Sequence, residues 1–344
     1  MLKFDFFIQA HLTERCNLRC KHCYQESQIS ELKFDDWKNF FSYSKDLIRE
    51  WEAKYDIEIP LLIKLTGGEP FLREDFFDIV KFLNEIDIEP YVLTNGTLID
   101  RNMITNLKKF RFDGFQISLE GCENTHDNIR GEGTFSKIKD AARLLKEENF
   151  KVVFKTTLSK LNHKDLDDLI DISNEWKVDG LGFSRLVPIG SGSKLHDDML
   201  SSSELKEFYL TLKSKNITSF ELLVEDPLGV CVLDDEFEDK IDTVGGCSAG
   251  FSSITVLSNG EIVPCRRMPI SLGNILKDDL REIWSDNEVL LSLREKDSYK
   301  NGCNSCLYWN ICRGCRAIAY SLSKDKKGWL DKDPQCFFAE SLIK

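Results

Sequence analysis

Through the first two thirds of the chain, short runs rich in β-branched and aromatic residues alternate with longer stretches whose apolar positions recur every three to four residues. Runs of the first kind read as strands and stretches of the second as amphipathic helices. Strands are predicted at residues 4–10, 60–65, 90–94, 114–119, 151–157 and 180–184, with helices between them at 35–54, 74–86, 100–110, 134–148 and 164–176. Six units in this order predict an α/β fold with a parallel sheet or barrel, whose ligand sites lie on the loops after the strands. The unusual sequences fall there. Three cysteines follow the first strand, Gly67-Gly68-Glu69-Pro70 the second, Thr94-Asn95-Gly96 the third and Ser118-Leu119-Glu120-Gly121 the fourth.

After Ser191-Gly192-Ser193 a helix is predicted near 203–214 and a strand near 220–224, and then the pattern changes. A hairpin at 251–257 and 261–264, turning at Asn259-Gly260, opens what reads as a second domain. The expected division is residues 1–224 and residues 225–344.

Composition narrows the function classes. A hydrophobic share of 42% over 344 residues suffices for a folded core. The apolar run Phe6-Phe7-Ile8, broken by Asp5 and Gln9, is too short for a signal-peptide core, and no stretch reaches the roughly 18 apolar residues of a membrane span. A cytoplasmic protein with no membrane partner is expected. A formal net charge of −12 argues against nucleic acid, which selects clustered Lys and Arg. Twelve cysteines without a secretion signal read as metal ligands rather than disulfides.

The first cysteine motif is Cys16-x3-Cys20-x2-Cys23. Three thiolates on one compact loop can bind three irons of a [4Fe–4S] cluster and leave the fourth open. A zinc site lacking one ligand, or buried free thiols, would use the same residues. The segment Thr13-Glu14-Arg15-Cys16-Asn17-Leu18-Arg19-Cys20-Lys21-His22-Cys23-Tyr24 resembles the signature of the radical S-adenosylmethionine (SAM) superfamily. That resemblance implies a partial (β/α)6 barrel, a cluster whose open iron chelates SAM, and one-electron reduction that releases a 5′-deoxyadenosyl radical. It also implies that His22 packs near the adenine, that Gly67, Gly68, Glu69 and Pro70 meet the SAM amino group, that Ser118 bonds the ribose and that Arg130 pairs with the SAM carboxylate. Glycines suit a close approach of backbone to ligand, and a carboxylate suits an ammonium. Position 120 is Glu where the family more often has Asp.

The remaining cysteines resemble the SPASM domain, a small cysteine-rich extension that carries auxiliary [4Fe–4S] clusters. Its pattern is matched by Cys247, by Gly260 and Cys265, by Cys303-x2-Cys306-x5-Cys312-x2-Cys315, and by Cys336. The five-residue gap between the two CxxC pairs is too short for a zinc ribbon, which needs about 15–20. By the resemblance, Cys303, Cys306, Cys312 and Cys336 bind one cluster, and Cys247, Cys265 and Cys315 another, giving three clusters in all. Cys231 reads first as a fourth ligand beside Cys247, Cys265 and Cys315, second as a hydrogen-atom donor, third as a buried structural thiol. Cys122 reads as a buried structural thiol.

Two substrate classes fit. One is a ribosomally made peptide, crosslinked or otherwise oxidised; the other is a tetrapyrrole whose propionates are trimmed in haem-type cofactor synthesis. The peptide leads because that class is larger. Only fifteen residues precede Cys16, so no fused leader-binding domain is expected there, and a separate recognition protein would serve. A flavodoxin or ferredoxin is the expected electron donor. The competing class is a multi-cluster electron carrier or a zinc-stapled binding module, which would leave SAM intact and would not explain the glycines and Ser118 at successive strand ends.

Overall fold

The computed structural model describes residues 4–25, 30–234, 244–325 and 327–338. In chain order the barrel elements are β1 (Phe6–Thr13), α1 (Phe34–Tyr55), β2 (Leu61–Gly67), α2 (Phe76–Glu85), β3 (Tyr91–Thr94), α3 (Arg101–Leu107) and β4 (Gly114–Ser118), then α4 (Glu123–Arg130), α5 (Thr134–Glu147), β5 (Val152–Leu158), α6 (Leu166–Glu175) and β6 (Gly180–Arg185). They are followed by α7 (Ser202–Ser214), β7 (Glu221–Val224) and α8 (Pro227–Leu233), and then by β8 (Ser253–Val256), β9 (Glu261–Val263) and β10 (Gly273–Asn274), with the short helices α9 (Leu280–Asp286), α10 (Glu288–Arg294) and α11 (Arg316–Leu322).

Among the described residues, all ten strands form one sheet in the order β10-β9-β8-β1-β2-β3-β4-β5-β6-β7. The pairs from β8 through β7 are parallel, and β9 and β10 close one edge antiparallel. The six predicted strands are therefore all present, and β7 and β8 lengthen the sheet on either side. The hairpin of β8 and β9 forms as predicted, but β8 lies against β1, pairing Phe7 with Ser253 and Ala10 with Val256. The C-terminal cysteines are thereby tied to the barrel wall.

Alternation along β1 shows how the strands build both a core and a lumen. Phe6, Ile8, Ala10 and Leu12 are buried in the core, while Phe7 and Gln9 line an internal cavity. On the outside, α1 buries Trp37, Phe40, Phe41, Ser44, Leu47 and Ile48, the stripe a 3.6-residue period predicts, with Trp37 stacked on Phe41 at 5.5 Å. Asp35 and Asp36 in its first turn oppose the positive end of the helix dipole. No helix among the described residues is long and apolar enough to cross a membrane.

Candidate functional site at the strand ends

The loop after β1 carries Cys16, Cys20 and Cys23, all half-buried and all lining a cavity of about 960 Å³. The loop is pinned by its backbone: Gly68 N–H donates to Thr13 O at 2.7 Å, Glu69 N–H to Arg15 O at 2.8 Å and Lys21 N–H to Ile129 O at 2.9 Å. This packing leaves no room for side chains at the two glycines. A Cβ on Gly68 would lie 2.3 Å from Arg15 O, and one on Gly67, whose φ is +153°, 2.2 Å from Thr13 O. Donors already surround two of the sulfurs: Leu18 N–H at 3.4 Å and Asn95 Nδ2 at 3.8 Å from Cys16 Sγ, and Arg130 Nη1 at 3.7 Å from Cys20 Sγ. Three thiols converging on one cavity, with cationic and amide donors aimed at them, fit a cluster held by three thiolates.

Two carboxylates follow strands β2 and β4, which flank β3 in the sheet, and both are fully buried. Glu69 accepts Thr94 Oγ1–H and Asn95 N–H, each at 2.8 Å, and faces no cation within hydrogen-bonding distance among the described residues. Burial pushes its pKa up to about 7. Glu120 has the opposite setting. Burial alone would raise it, but the Arg130 guanidinium, at 2.6 and 2.9 Å, and His22, at 3.5 Å, hold it below the usual carboxylate range. Glu120 also accepts Thr157 N–H at 2.9 Å. Burial in turn lowers His22 to about 4, so its ring stays neutral at physiological pH and contacts Arg130 at 3.4 Å. Ser118, Arg130 and His22 line the cavity with Gly67 and Gly68, whereas Pro70 opens a turn of 3-10 helix, Pro70–Leu72, behind them.

A second cavity of about 1220 Å³ continues inward and shares Leu93, Gln116, Lys155, Ser184, Arg185, Arg266 and Arg267 with the first. Its far wall carries Cys247, Cys265 and Cys315. Arg185, at the end of β6, is almost fully buried and binds Asp226, Asp333 at 2.7 Å and Gln335 at 2.9 Å; Asp333 also accepts Cys315 N–H at 2.7 Å. Burial pushes the Cys315 thiol up to about 11, with Arg267 and Arg185 opposing and Cys247 adding to the rise. Cys303 is likewise pushed up to about 11, by burial and then, against an opposing Arg316, by Cys312, Cys336 and Cys306. Cys231 is buried on α8, where its thiol meets Cys312 and donates to Pro227 O at 3.4 Å.

Residues 11–172 match the model of the Radical SAM superfamily, and residues 247–307 match that of an iron–sulfur cluster-binding SPASM domain. The chain is a radical SAM enzyme. Among curated proteins this enzyme is 29% identical to the AdoMet-dependent heme synthase of Methanosarcina barkeri, over 95% of each chain, and 26% identical to the mycofactocin maturase MftC of Mycobacterium tuberculosis, over 94% of this chain and 81% of that one. Among solved structures, Streptococcus suis SuiB bound to S-adenosylmethionine superposes with a TM-score of 0.77 over 97% of this chain and 78% of that one, at 19% identity, which shows the shared fold.

The radical SAM enzyme brings Cys16, Cys20, Cys23, His22, Gly67, Gly68, Ser118 and Arg130 to one cavity. Three placements differ from the sequence reading, the first being Cys231, which lies against Cys312 rather than with Cys247, Cys265 and Cys315. Arg130 spends its Nε and Nη2 donors on Glu120, and Cys122 is half-buried, with its backbone N–H bound to Asp165 at 3.1 Å. Sequence reasoning gave Asn95 no role beyond its place at a strand end, and passed over Lys64, Lys155, Gln9 and the arginine pair Arg266-Arg267. Their only signal is a polar residue at a lumen-facing position of an otherwise apolar strand, or directly after a cysteine.

Proposed function

We propose that this radical SAM enzyme oxidatively removes carboxyl groups from propionate side chains of a tetrapyrrole, in haem-type cofactor synthesis. The observation that carries the reading is the charge of the inner cavity. Lys64, Lys155, Arg266 and Arg267 line it, and neither Arg266 nor Arg267 has a carboxylate partner among the described residues. Gathering half-buried cations that outnumber the Glu225 and Asp226 carboxylates in one cavity is costly unless an anionic ligand compensates. The similarity to a heme synthase over nearly the whole chain supports a tetrapyrrole ahead of the peptide that the sequence favoured. A peptide is the second reading, supported by the similarity to MftC.

When bound, SAM and the clusters would supply a hydrogen-abstracting radical and an acceptor for the leftover electron, so that each propionate loses one hydrogen atom, one electron and CO2 to become a vinyl group. The chain's own residues set the stage. Cys16, Cys20 and Cys23 would hold the SAM cluster; Cys303, Cys306, Cys312 and Cys336 one auxiliary cluster; Cys247, Cys265 and Cys315 the other. Glu69 receives the SAM amino group, Ser118 the ribose, and His22 packs against the adenine. Arg266 and Arg267 orient substrate carboxylates between the two sites. A flavodoxin or ferredoxin donates the electron.

The test is anaerobic turnover of reconstituted protein with SAM, reductant and Fe-coproporphyrin III, following 5′-deoxyadenosine and porphyrin mass together. Loss of CO2 units in step with 5′-deoxyadenosine is the expected result. SAM cleavage that leaves the porphyrin untouched would overturn the tetrapyrrole reading. Bound zinc and no SAM cleavage would leave only a metal-stapled binding module.

A further inference from the structure

Several polar side chains of the inner cavity belong to neither cysteine site. The parallel registers set Gln9 of β1 beside Lys64 of β2 and Thr255 of β8, so three polar side chains form a row across three adjacent strands. All three line the cavity, with Lys155 and Glu225. Gln9 is only 8% exposed, and its Nε2 has no hydrogen-bond partner. A buried amide donor without an acceptor destabilises the fold, so its retention points to an acceptor brought by a ligand.

The charges beside it are unevenly shared. Lys155 is committed to Glu225 at 2.5 Å, whereas Lys64 lies 3.8 Å from the same carboxylate and rests 4.4 Å from the centroid of the Phe7 ring. On β6 the register partner of Lys155 is Gly182, where a Cβ would come within 3.2 Å of the Lys155 ammonium. The absent side chain keeps space for that ammonium. One carboxylate against two ammoniums leaves one positive charge, next to one free amide donor. That pair matches the two oxygens of a carboxylate.

We propose that Gln9 and Lys64, with Lys155 and Glu225 behind them, form a second anion subsite that holds a non-reacting carboxylate of the substrate. Gln9 lies four residues before Thr13, so the subsite sits about 13 Å below the strand ends where SAM binds. A macrocycle with carboxylates on different edges can then be held at this floor and at Arg266-Arg267, with its reacting edge towards Ser118. The inference rests on the tetrapyrrole reading and names its specificity-determining residues.

The test titrates Fe-coproporphyrin III into reconstituted protein, with SAM and without reductant, by its Soret absorbance. Wild type is compared with Lys64→Met, Lys64→Arg and Gln9→Leu. Lys64→Met and Gln9→Leu should each weaken binding about tenfold or more, and Lys64→Arg should restore most of it. Gln9→Leu should at the same time raise the thermal midpoint, because it removes a buried orphan donor; a merely structural glutamine would lower it. Unchanged affinity in Lys64→Met and Gln9→Leu, at wild-type iron content, would overturn the subsite while leaving the tetrapyrrole reading intact. Failure of wild type to bind the probe would sink both.

Discussion

Glu69→Gln is the most searching single substitution, because the structure predicts that it stabilises the protein as it harms SAM binding. Glu69 is fully buried and faces only neutral donors: Thr94 Oγ1–H, Asn95 N–H and, at 3.4 Å, Phe71 N–H. Burial raises its pKa from 4.5 to about 7. A folded-state value above the unfolded one means a contribution that is fully present below pH 4.5 and lost as the pH rises through about 7. The rise corresponds to about 3 kcal/mol. Glutamine escapes that loss, but it turns an amide towards donors the carboxylate accepted, at a cost of about 1–2 kcal/mol. In the absence of SAM the variant should therefore be less stable than wild type near pH 5 and more stable near pH 8, a swing of about 2.5 kcal/mol. Urea unfolding of reconstituted protein, followed by circular dichroism across that range, measures it. SAM affinity at pH 8 should fall about tenfold or more, since an ionised acceptor for the amino group is gone. A stability difference that does not change with pH would refute the assignment of Glu69 as a buried carboxylate held ready for a cation.

Arg185→Met removes the cation shared by Asp226 and Asp333 and should cost about 3–5 kcal/mol in urea unfolding at neutral pH; a loss below about 1 kcal/mol would mean the network is not coupled to folding. Gly68→Ala drives a methyl group into Arg15 O, so the cysteine loop must shift and 5′-deoxyadenosine formation should drop by about a hundredfold. Unchanged turnover would show that the loop yields freely. Replacing Cys16, Cys20 and Cys23 together with Ala should lower bound iron from about twelve to about eight per chain and abolish SAM cleavage, whereas Cys306→Ala should spare some uncoupled cleavage. Iron analysis and chromatography of the nucleoside check both.

The barrel was legible because its strands alternate and its helices carry the 3.6-residue stripe. The first strand was placed at 4–10 and runs Phe6–Thr13, since pairing with β2 continues past the apolar core through a register shift near Thr13. Helix α4 was missed. Its sequence ENTHDNIR buries only His126 and Ile129, too few apolar positions to show a period. Cysteine spacing suggested two C-terminal groups, because the x2 and x5 gaps constrain ligands locally. Cys231 had no such neighbours, and only the packing of α8 brings its thiol to Cys312. Lys64, Lys155 and Gln9 looked like isolated polar interruptions on separate strands. Their convergence is a property of register, which no window of sequence contains.

The two buried glutamates differ in how the fold satisfies their charge. Both end a strand of the same sheet, both are fully buried, and the sequence singled out both segments for the same reason. Glu120 carries its own cation: Arg130 from α4 satisfies it, with His22 and Thr157 N–H completing the shell. An acid so neutralised has little left to offer a ligand, and its work is to hold Arg130 and His22 at the cavity wall. Glu69 has neutral donors and, among the described residues, no cation within hydrogen-bonding distance, with only the more distant Arg130 opposing the burial that raises its pKa. A cationic ligand is the compensation the protein lacks, and the amino group of SAM is the cation that the cysteine loop, 2.8 Å away through Glu69 N–H and Arg15 O, would present. The inner cavity poses the complementary problem with the sign reversed. Arg266, Arg267 and Lys64 exceed the carboxylates that face them, a deficit that the proposed substrate carboxylates would fill. A buried carboxylate without a cation in hydrogen-bonding reach near the strand ends, and an excess of cations further in, would suit two ligands of opposite charge, as the proposed SAM-dependent reaction on a polycarboxylate would need.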